Sequence, residues 1–303
     1  MTDTPLQTSW IEAVARGGIP DATALSDHLR AVHSKHPGFT EACAGQCRDA
    51  EGRTSYEWLA EAVATGRHRT VLDLACGSGA LLSILDARMS EDTRLMGVDM
   101  SPNELALARA QLPERRVDLM EGRAQQLEHL RDGSVDAVLC HWALTLMDPV
   151  APVLAEIARV LAPGGRFAAI VDGPMNAAPG YAAVHDLIYG HVQAALPAYG
   201  RIELGDPRVR NADDLMKLAE AAFSGGTMRV ETTVVCLRGP ADVVAREAAG
   251  FFYAAFILVP GAREAMLADL AVLLSERNGA AAAEFTMPIN RLVVDLPHVS
   301  STK

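Results

Sequence analysis

The chain has 303 residues, of which 50% are hydrophobic and 21% are charged, a balance typical of a globular protein with a large core. Lys plus Arg is 27 and Asp plus Glu is 38, so the formal net charge is −11. Such a surface repels phosphate backbones, and because the sequence has no basic stripe, nucleic acid is not an expected partner. The longest uncharged apolar run, residues 248–260, is shorter than the roughly 20 residues of a membrane helix.

The cysteines and the first residues indicate a cytoplasmic protein. The first ten residues lack the basic and apolar regions of a signal peptide, and five cysteines in a chain of this length do not form a disulfide framework. Four potential zinc ligands lie close together, namely His33, His36, Cys43 and Cys47. Their spacing matches no structural zinc site, so no metal is predicted.

The predicted elements begin with helices and change in character at Val71. An amphipathic helix covers residues 22–34, and a second helix starts at Thr54, where Thr54-x-x-Glu57 is a capping box. From Val71 onward, short apolar runs alternate with amphipathic stretches, which is typical of a parallel sheet covered by helices on both faces. The predicted strands are residues 71–75, 95–100, 117–122, 135–141 and 166–173, and the helices between them are 81–89, 102–112 and 150–161.

Beyond Gly173 the regular alternation stops. Two further β-type runs follow, at 228–237 and 285–296, and a helical stretch precedes each of them. The predicted domain organisation is an N-terminal helical arm or lid at 1–66 and one domain at 67–303, with helical insertions at about 174–212 and 240–280.

The first predicted strand leads through Gly77-x-Gly79 directly into a helix, and this junction is the first candidate binding site. Glycines let the backbone approach a ligand closely, and the free N–H groups of a helix start favour polar or anionic groups. Asp99 ends the second strand, twenty residues beyond Gly79. A carboxylate at that place accepts hydrogen bonds from both hydroxyls of a ribose, so the junction predicts a nucleoside-binding site.

A nicotinamide dinucleotide would also use these features, but two details favour a nucleoside that carries a cation. Leu82 occupies the place of the third glycine in the G-x-G-x-x-G pattern, which leaves less room beside a pyrophosphate. Asp73 lies inside the strand, four residues before the first glycine. Its carboxylate would repel a pyrophosphate and attract an ammonium group.

Five motifs, in this order and spacing, resemble the class I S-adenosylmethionine-dependent methyltransferases, especially the small-molecule group with a D-x-A-C-G-x-G pattern. The motifs are DLACGSG (73–79), GVDMS (97–101), EGRAQQL (121–127), GSVDAVLCHWALTLM (133–147) and RVLAPGGRFAAIVDG (159–173). The resemblance covers about residues 54–173. It implies a Rossmann-like α/β fold, with a seven-stranded, mostly parallel sheet between helices, an antiparallel last strand and helical lid insertions.

The resemblance implies S-adenosyl-L-methionine as the cofactor and assigns roles to matching positions. Gly77 and Gly79 would lie under the methionyl part, and Asp73 would serve its ammonium group. Asp99 would hold the ribose, with Met100 packing on the adenine. The other cofactor-binding residues that we expect are Tyr56, Ala75, Arg123, Ala124, Gln125 and His141.

Arg123 departs from the family pattern. Much of the family has Gly-Asp-Ala after the third strand, whereas this chain has Gly122-Arg123-Ala124. Arginine offers only donors, so it cannot accept a hydrogen bond from the adenine amino group. Either Gln125 or a backbone carbonyl takes this role, or Arg123 stacks on the ring or turns outward.

The family places the methyl acceptor at the ends of strands four and five, beneath inserted helices. His141 is the first candidate there, as a base or as a ligand of the methionyl group, and its alternative is a histidine bonded to a neighbouring carbonyl. Asp172 either orients an amine or caps the following turn. His185 is a further catalytic candidate, with a surface role as its alternative. The pocket wall that we expect, with ordinary core packing as its alternative, consists of Trp142, Met147, Tyr181, Tyr189, Phe252 and Phe256.

The sequence therefore predicts an enzyme that transfers a methyl group from S-adenosylmethionine to an oxygen or nitrogen of a small molecule, with carbon less favoured. The expected substrate is a secondary metabolite, and the expected product of the cofactor is S-adenosylhomocysteine. Two alternatives stay open: a nicotinamide-dependent oxidoreductase, and a non-catalytic protein that binds S-adenosylmethionine. A homodimer is one expected oligomeric state, and no membrane partner is expected.

Overall fold

The computed structural model describes residues 6–114, 116–200, 204–278 and 282–298. The strands are β1 (Thr70–Leu74), β2 (Arg94–Asp99), β3 (Val117–Glu121), β4 (Val135–His141), β5 (Leu161–Asp172), β6 (Thr227–Gly239) and β7 (Ala283–Asp295). The α-helices are α1 (Ser9–Ala15), α2 (Ala22–Lys35), α3 (Phe39–Ala44), α4 (Ser55–Ala60), α5 (Ala80–Arg88), α6 (Pro102–Gln111), α7 (Ala151–Val160), α8 (Tyr181–Ala195), α9 (Ala212–Ala222), α10 (Ala241–Gly250) and α11 (Pro260–Asn278).

The strands form one seven-stranded sheet in the order β3-β2-β1-β4-β5-β7-β6. Strands β1 to β5 pair in parallel, and β7 runs antiparallel to β5, with Arg166 opposite Asp295 and Asp172 opposite Ile289. This topology confirms the predicted Rossmann-like α/β fold with an antiparallel last strand. The order also places the carboxyl ends of β1, β2, β4 and β5 at the same edge of the sheet, where ligands bind in open α/β folds.

The central strands are apolar because both of their faces are covered. Val71, Leu72 and Leu74 of β1 are fully buried, as are Val138 and Leu139 of β4. Side chains of one strand point to opposite faces in turn, so a continuous buried run requires packing on both faces. This texture is what the sequence showed from Val71 onward.

Strand β5 begins earlier than the sequence predicted. The predicted strand covers residues 166–173 only, with Pro163-Gly164-Gly165 outside it. Instead Val135 pairs with Leu161 and Ala137 pairs with Arg166, so the register shifts across an irregular segment of β5. Gly164 has a φ of 75° there. A glycine absorbs such a local distortion without ending the strand, as in a β-bulge.

Helix α6 confirms its predicted start. The Ser101 hydroxyl accepts a hydrogen bond from the Glu104 backbone N–H at 3.4 Å, and Pro102 occupies the first turn. The cap satisfies one of the N–H groups that every helix start leaves unpaired. It also fixes the chain directly after β2, next to the carboxylate of Asp99.

The chain divides into two compact units. The first unit comprises Met1–Thr54, Met175–Glu203 and Val234–Pro288, and the second comprises Ser55–Pro174, Leu204–Thr233 and Ile289–Lys303. The predicted boundary at residue 66 and the predicted insertions stay predictions. Among the residues that the structure describes, no helix is long and apolar enough to span a membrane.

The first unit has an aromatic core around α1 and α2. The Trp10 ring stacks on His28 with centroids 4.8 Å apart, and its edge meets Tyr199 at 5.6 Å. His28 is fully buried, and its Nδ1 lies 3.0 Å from the Thr8 hydroxyl. Burial lowers the pKa of His28 to about 4, so this imidazole is neutral at pH 7.

In the second unit, one arginine joins α4 to two strands. Arg291 of β7 donates a hydrogen bond from Nη2 to Glu231 of β6 at 2.6 Å and another from Nη1 to the Trp58 carbonyl. Its guanidinium carbon also lies 4.4 Å from the centroid of the Trp58 ring. A planar guanidinium can bond in its plane and stack on its face at once, and this combination anchors α4 to the sheet.

Candidate cofactor and acceptor site

The loop between β1 and α5 is tied to the end of β2. The Cys76 N–H donates to the Val98 carbonyl at 3.0 Å, and the Gly77 N–H donates to Asp99 Oδ2 at 2.8 Å. Ala75 has a φ of 58°, a left-handed conformation that costs an alanine about 1–2 kcal/mol. Strain of this kind persists only where neighbouring bonds over-determine the backbone, and it clusters at ligand sites.

The two glycines of this loop have different surroundings. A Cβ added to Gly79 would lie 2.7 Å from Leu112 Cδ1 and 3.2 Å from Ala108 Cβ, so Gly79 allows α6 to pack closely. A Cβ added to Gly77 would meet no atom within 4 Å. The space over Gly77 is therefore open to a ligand, as the predicted cofactor contact requires.

Asp99 is a rigidly placed acceptor at the end of β2. Its Oδ2 accepts from the Gly77 N–H and its Oδ1 accepts from the Ser101 N–H, both at 2.8 Å. The residue is 8% exposed, so it is not completely enclosed. Each carboxylate oxygen has two lone-pair positions, so Asp99 can also accept from the two hydroxyls of a ribose.

Asp73 of β1 is the opposite case. It is 1% exposed, and neither carboxylate oxygen has a hydrogen-bond partner among the described residues. Burial, followed by the charge of Asp99, raises the pKa of Asp73 well above its usual value. The neighbouring thiols of Cys76 and Cys140 supply no positive charge. Because an ionised carboxylate without a partner is costly to bury, this site fits a ligand that brings a cation.

Burial also keeps the Cys76 thiol of the glycine loop protonated. It raises the pKa of Cys76 well above the usual value, with Asp73 and Asp99 adding to the effect. Burial and Asp73 likewise raise the pKa of Cys140 to about 12. Since a thiolate is the reactive form of cysteine, both thiols are inert at pH 7 and act as small packing groups.

The residues predicted at the adenine differ in exposure. Ala124 is buried and belongs to the apolar core of the second unit, whereas Gln125 and Met100 are half-buried. Arg123 is exposed, and its backbone carbonyl accepts from the Gln126 N–H at 3.0 Å. Their roles toward the adenine stay predictions.

His141, the last residue of β4, is enclosed by residues of α4. Its Nε2 lies 2.9 Å from the Ser55 hydroxyl, and the Tyr56 ring stacks on the imidazole with centroids 3.7 Å apart and planes 19° apart. Burial lowers the pKa of His141 to about 3. Sequence reasoning expected either a functional histidine or one bonded to a carbonyl, and it missed Ser55 as the partner. The only available signal was the position of Ser55 beside the predicted Tyr56.

Trp142 and Asp172 are joined at the ends of β4 and β5. The Trp142 Nε1–H donates to Asp172 Oδ1 at 2.8 Å, and Arg210 Nε lies 3.3 Å from Asp172 Oδ2. Arg210 Nη2 in turn donates to the Thr145 carbonyl at 3.2 Å, and the Thr145 hydroxyl donates to the Trp142 carbonyl. Both carboxylate oxygens of Asp172 are therefore engaged. Sequence reasoning missed Arg210 because it lies in a different segment.

This ring of bonds holds a strained backbone. Trp142 has a φ of 61° and a ψ of −17°, which is left-handed and uncommon for a bulky residue. The Trp142 N–H donates to the Ile170 carbonyl at 2.9 Å, so the residue is fixed at both its backbone and its side chain. Met147, another predicted pocket residue, is half-buried and packs on the apolar core of the same unit.

The other predicted site residues belong to the first unit, where they form two aromatic groups. Tyr181 stacks on Phe252 at 5.9 Å, and His185 stacks on Tyr189 at 4.1 Å and meets Phe252 edge-on at 6.2 Å. Phe256 instead packs against Phe39, with centroids 4.7 Å apart. The roles of all five predicted residues toward a substrate stay predictions.

The histidines and cysteines near the N-terminus make protein contacts. His33 Nε2 lies 2.7 Å from the Tyr253 hydroxyl, and the His36 ring packs on Phe256 at 4.9 Å. Burial raises the pKa of Cys47 to about 12. Within the described ranges, no group of three or more His, Cys, Asp or Glu residues could hold a metal ion.

Comparisons with known proteins agree with this geometry. Residues 72–169 match a family described as a methyltransferase domain. A demethylmenaquinone methyltransferase of Symbiobacterium thermophilum is 34% identical over 118 residues, which are 37% of this chain and 47% of that protein. An uncharacterized methyltransferase of Mycobacterium tuberculosis is 42% identical over 121 residues, 38% of this chain and 45% of that protein. The matches thus span about half the length of these relatives.

Among solved structures, the YcgJ protein of Bacillus subtilis is similar in fold, with a TM-score of 0.56 and 15% identity over 80% of this chain and 98% of that one. Four observations point to the same family: the sheet order, the glycine loop, the unpartnered Asp73 and the residues that match the family. Residues 72–169 thus form a methyltransferase domain with the fold and the motifs of the class I S-adenosylmethionine-dependent methyltransferases, a class whose cofactor is S-adenosylmethionine.

Proposed function

We propose that the protein transfers the methyl group of S-adenosylmethionine to an oxygen or nitrogen of a small molecule, with S-adenosylhomocysteine as the product. The unpartnered carboxylate of Asp73 carries this proposal. Buried without a cation, it is destabilising, and the amino-acid end of the cofactor brings an ammonium group that would neutralise it. Asp99, fixed by two backbone N–H groups, would hold the ribose hydroxyls.

The bound cofactor supplies an electrophilic methyl carbon, and the protein's task is to align an acceptor behind it. Gly77 leaves open space beside the loop, so a ligand can approach the backbone. The acceptor end would lie beyond β4 and β5, where Trp142 is fixed by Asp172 and Arg210. A rigid wall supports alignment because any freedom in the acceptor's position lowers the fraction of productive encounters.

The acceptor class rests on charge and on the relatives. With a net charge of −11, the protein would repel nucleic acid, which supports a small acceptor. A secondary metabolite is our leading proposal, and the pocket residues of the first unit, Tyr181, Tyr189, His185, Phe252 and Phe256, stay candidates for contacting it. A cytoplasmic location and a homodimer are also part of this proposal.

A second candidate acceptor is a demethylmenaquinone-like quinone, methylated at carbon. It is favoured by relatives with the name demethylmenaquinone methyltransferase, one of which, from Deinococcus radiodurans, aligns with 48% of this chain at 34% identity. Because that alignment covers 59% of the relative, the substrate of the relative comes to this chain only as a proposal.

Calorimetric titration tests the cofactor site directly. We expect S-adenosylmethionine and S-adenosylhomocysteine to bind and NAD not to bind. Asp73→Asn should weaken S-adenosylmethionine by at least about tenfold, because a charge-assisted contact becomes a neutral one. The matched control is Asp118→Asn, since Asp118 is exposed and pairs with Arg94 on the surface at 2.7 Å. Equal affinities for both variants would contradict the proposed role of Asp73.

Release of S-adenosylhomocysteine, measured over a panel of phenols, carboxylic acids, amines and demethylmenaquinone, tests the reaction. Turnover of a phenol, acid or amine supports the leading acceptor class, and turnover of the quinone alone supports the second candidate. Binding of the cofactor with no turnover over the whole panel would favour a non-catalytic binding protein.

A further inference from the structure

A buried hydrogen bond joins the first residue of α4 to the last residue of β4. Ser55 is 1% exposed and His141 is 8% exposed, and Ser55 Oγ lies 2.9 Å from His141 Nε2. Tyr56 stacks on one face of the imidazole, and the ring of Trp142 meets it edge-on at 5.0 Å. These contacts hold the imidazole in one orientation.

The hydrogen-bonding capacity of the serine decides which imidazole nitrogen carries the proton. A hydroxyl has one proton to donate, and His141 Nε2 is its hydrogen-bond partner among the described residues. If Nε2–H were the donor, the enclosed hydroxyl proton would have no acceptor, which costs about 1–3 kcal/mol. If the hydroxyl donates to Nε2, both groups are satisfied. The second arrangement leaves the imidazole proton on Nδ1.

The Nδ1 atom is available to a ligand. Nδ1 makes no hydrogen bond with the described residues. It also keeps some exposed surface, unlike the fully buried polar atoms that lack a partner. Burial lowers the pKa of His141 to about 3, so the ring stays neutral at physiological pH. Asp172 cannot replace it as a base without breaking its bonds to Trp142 and Arg210.

We infer that His141 presents an Nδ1–H donor at the end of β4, and that the methyl acceptor is an oxygen acid which arrives already ionised, such as a carboxylate or an acidic phenol. This inference rests on the proposed function. A neutral donor attracts an ionised or carbonyl oxygen and gives no help to an alcohol that must lose a proton. It also discriminates against an amine, which needs an acceptor or a negative charge beside it.

Nitrogen NMR of protein with 15N-labelled histidine tests the tautomer without any substrate. At pH 7.5 we expect His141, assigned by its loss in His141→Gln, to show the pattern of a protonated Nδ1. Ser55→Ala should lose this pattern and Ser55→Thr, which keeps the hydroxyl, should retain it. A protonated Nε2 in the unaltered protein, or an unchanged pattern in Ser55→Ala, overturns the inference.

Two variants of similar polarity separate the two ring nitrogens. The shorter Asn side chain puts its amide nitrogen near the position of Nδ1, and the longer Gln side chain puts its amide near Nε2. We expect His141→Gln to have a kcat/KM for an ionised acceptor about tenfold below that of His141→Asn, the size of one lost charge-assisted bond. Equal values, or a higher value for His141→Gln, would count against the donor at Nδ1.

Matched acceptors test the substrate class. Benzoate and 4-nitrophenol should accept a methyl group in preference to benzyl alcohol and benzylamine. The rate with benzoate, which is ionised over the whole interval, should not fall between pH 8 and pH 6 as it would with a histidine base. Failure of all ionised acceptors in a protein that still binds S-adenosylmethionine overturns the acceptor class alone. Failure to bind the cofactor overturns the proposed function instead, and the NMR experiment still decides the tautomer.

Discussion

Two regions at the same edge of the sheet are built in opposite ways. The cofactor edge (Asp73, Ala75–Gly79 and Asp99) leaves one carboxylate enclosed without a partner, whereas the acceptor edge (His141, Trp142, Asp172 and Arg210) satisfies its carboxylate from within the protein. A partner missing inside the fold has to come from a ligand. A partner supplied by the fold gives rigidity.

The hydrogen-bond partners of two acids show which of them binds a ligand and which holds the protein's own side chains. Asp73 and Asp172 both stand at or near strand ends, and the sequence offered both as site residues. In the structure, the Asp172 carboxylate accepts hydrogen bonds from Trp142 and Arg210, so it fixes the positions of these two side chains. The Asp73 carboxylate has no hydrogen-bond partner among the described residues, so it is available to the cofactor. The pairing of each acid, and not its position alone, separates binding from positioning.

The largest effect is expected within the cofactor edge itself. Gly79→Ala should lower the free energy of unfolding by about 2–3 kcal/mol, because the new Cβ meets α6 and the φ of 87° disfavours alanine. Gly77→Ala is the matched control, with open space around its Cβ, and should cost only about 1 kcal/mol. Urea unfolding measures both, and equal costs would contradict the packing role of Gly79.

Asp73→Asn should stabilise the ligand-free protein by about 2 kcal/mol at pH 7. The pKa of Asp73 is raised in the folded state, so its destabilising effect appears as the pH rises above the usual value of 3.8. Asn removes that effect. Asp99→Asn should instead destabilise, since its carboxylate accepts two N–H groups. Thermal unfolding without ligand checks the pair, and a lower melting temperature for Asp73→Asn would refute the comparison.

The acceptor edge should show an energetic coupling of about 1–2 kcal/mol between Asp172 and Trp142. A double-mutant cycle with Asp172→Ala and Trp142→Phe measures it by urea unfolding, because either change alone breaks the 2.8 Å bond. Asp172→Asn keeps an acceptor for the indole and should lose less than Asp172→Ala. Additive effects of the two substitutions would show that the bond fixes nothing.

The smallest expected effect is a loss of stability as the solution becomes mildly acidic. The pKa of His141 is about 3 in the folded protein, against a usual value of 6.5, so on acidification the unfolded chain binds a proton first. Stability is therefore lost as the pH falls below about 6.5, by about 0.7 kcal/mol between pH 7 and pH 6 for one such histidine. His141→Asn should remove that loss. Urea unfolding at both pH values decides.

The cofactor edge could be predicted from the sequence because its residues are close along the chain. Asp73, Gly77 and Gly79 lie in one loop, and Ser101 marks the helix directly after Asp99. Local sequence patterns of this kind predict which backbone hydrogen bonds form. The alternation of apolar runs similarly predicted the parallel strands, whereas the antiparallel last strand was implied only by the family resemblance.

The acceptor edge could be predicted only in part, because its partners are distant along the chain. Ser55 is 86 residues from His141, and Arg210 is 38 residues from Asp172. No spacing rule connects such residues, since the fold alone brings them together. The same holds for Phe256, which was grouped with Phe252 by sequence but packs on Phe39 in the first unit.

Arg291 limits how far the chain can be trimmed toward the residues that match the methyltransferase domain. The segment that matches the methyltransferase domain ends at residue 169, yet the helix carrying Ser55 and Tyr56 is anchored by a guanidinium near the other end of the chain. A fragment limited to the matched residues would retain the acids for the cofactor and lose both that helix and the arginine that anchors it. Lysine at this position could not bond in a plane and stack on the Trp58 ring at once, so the exchange would loosen α4 from β6 and β7.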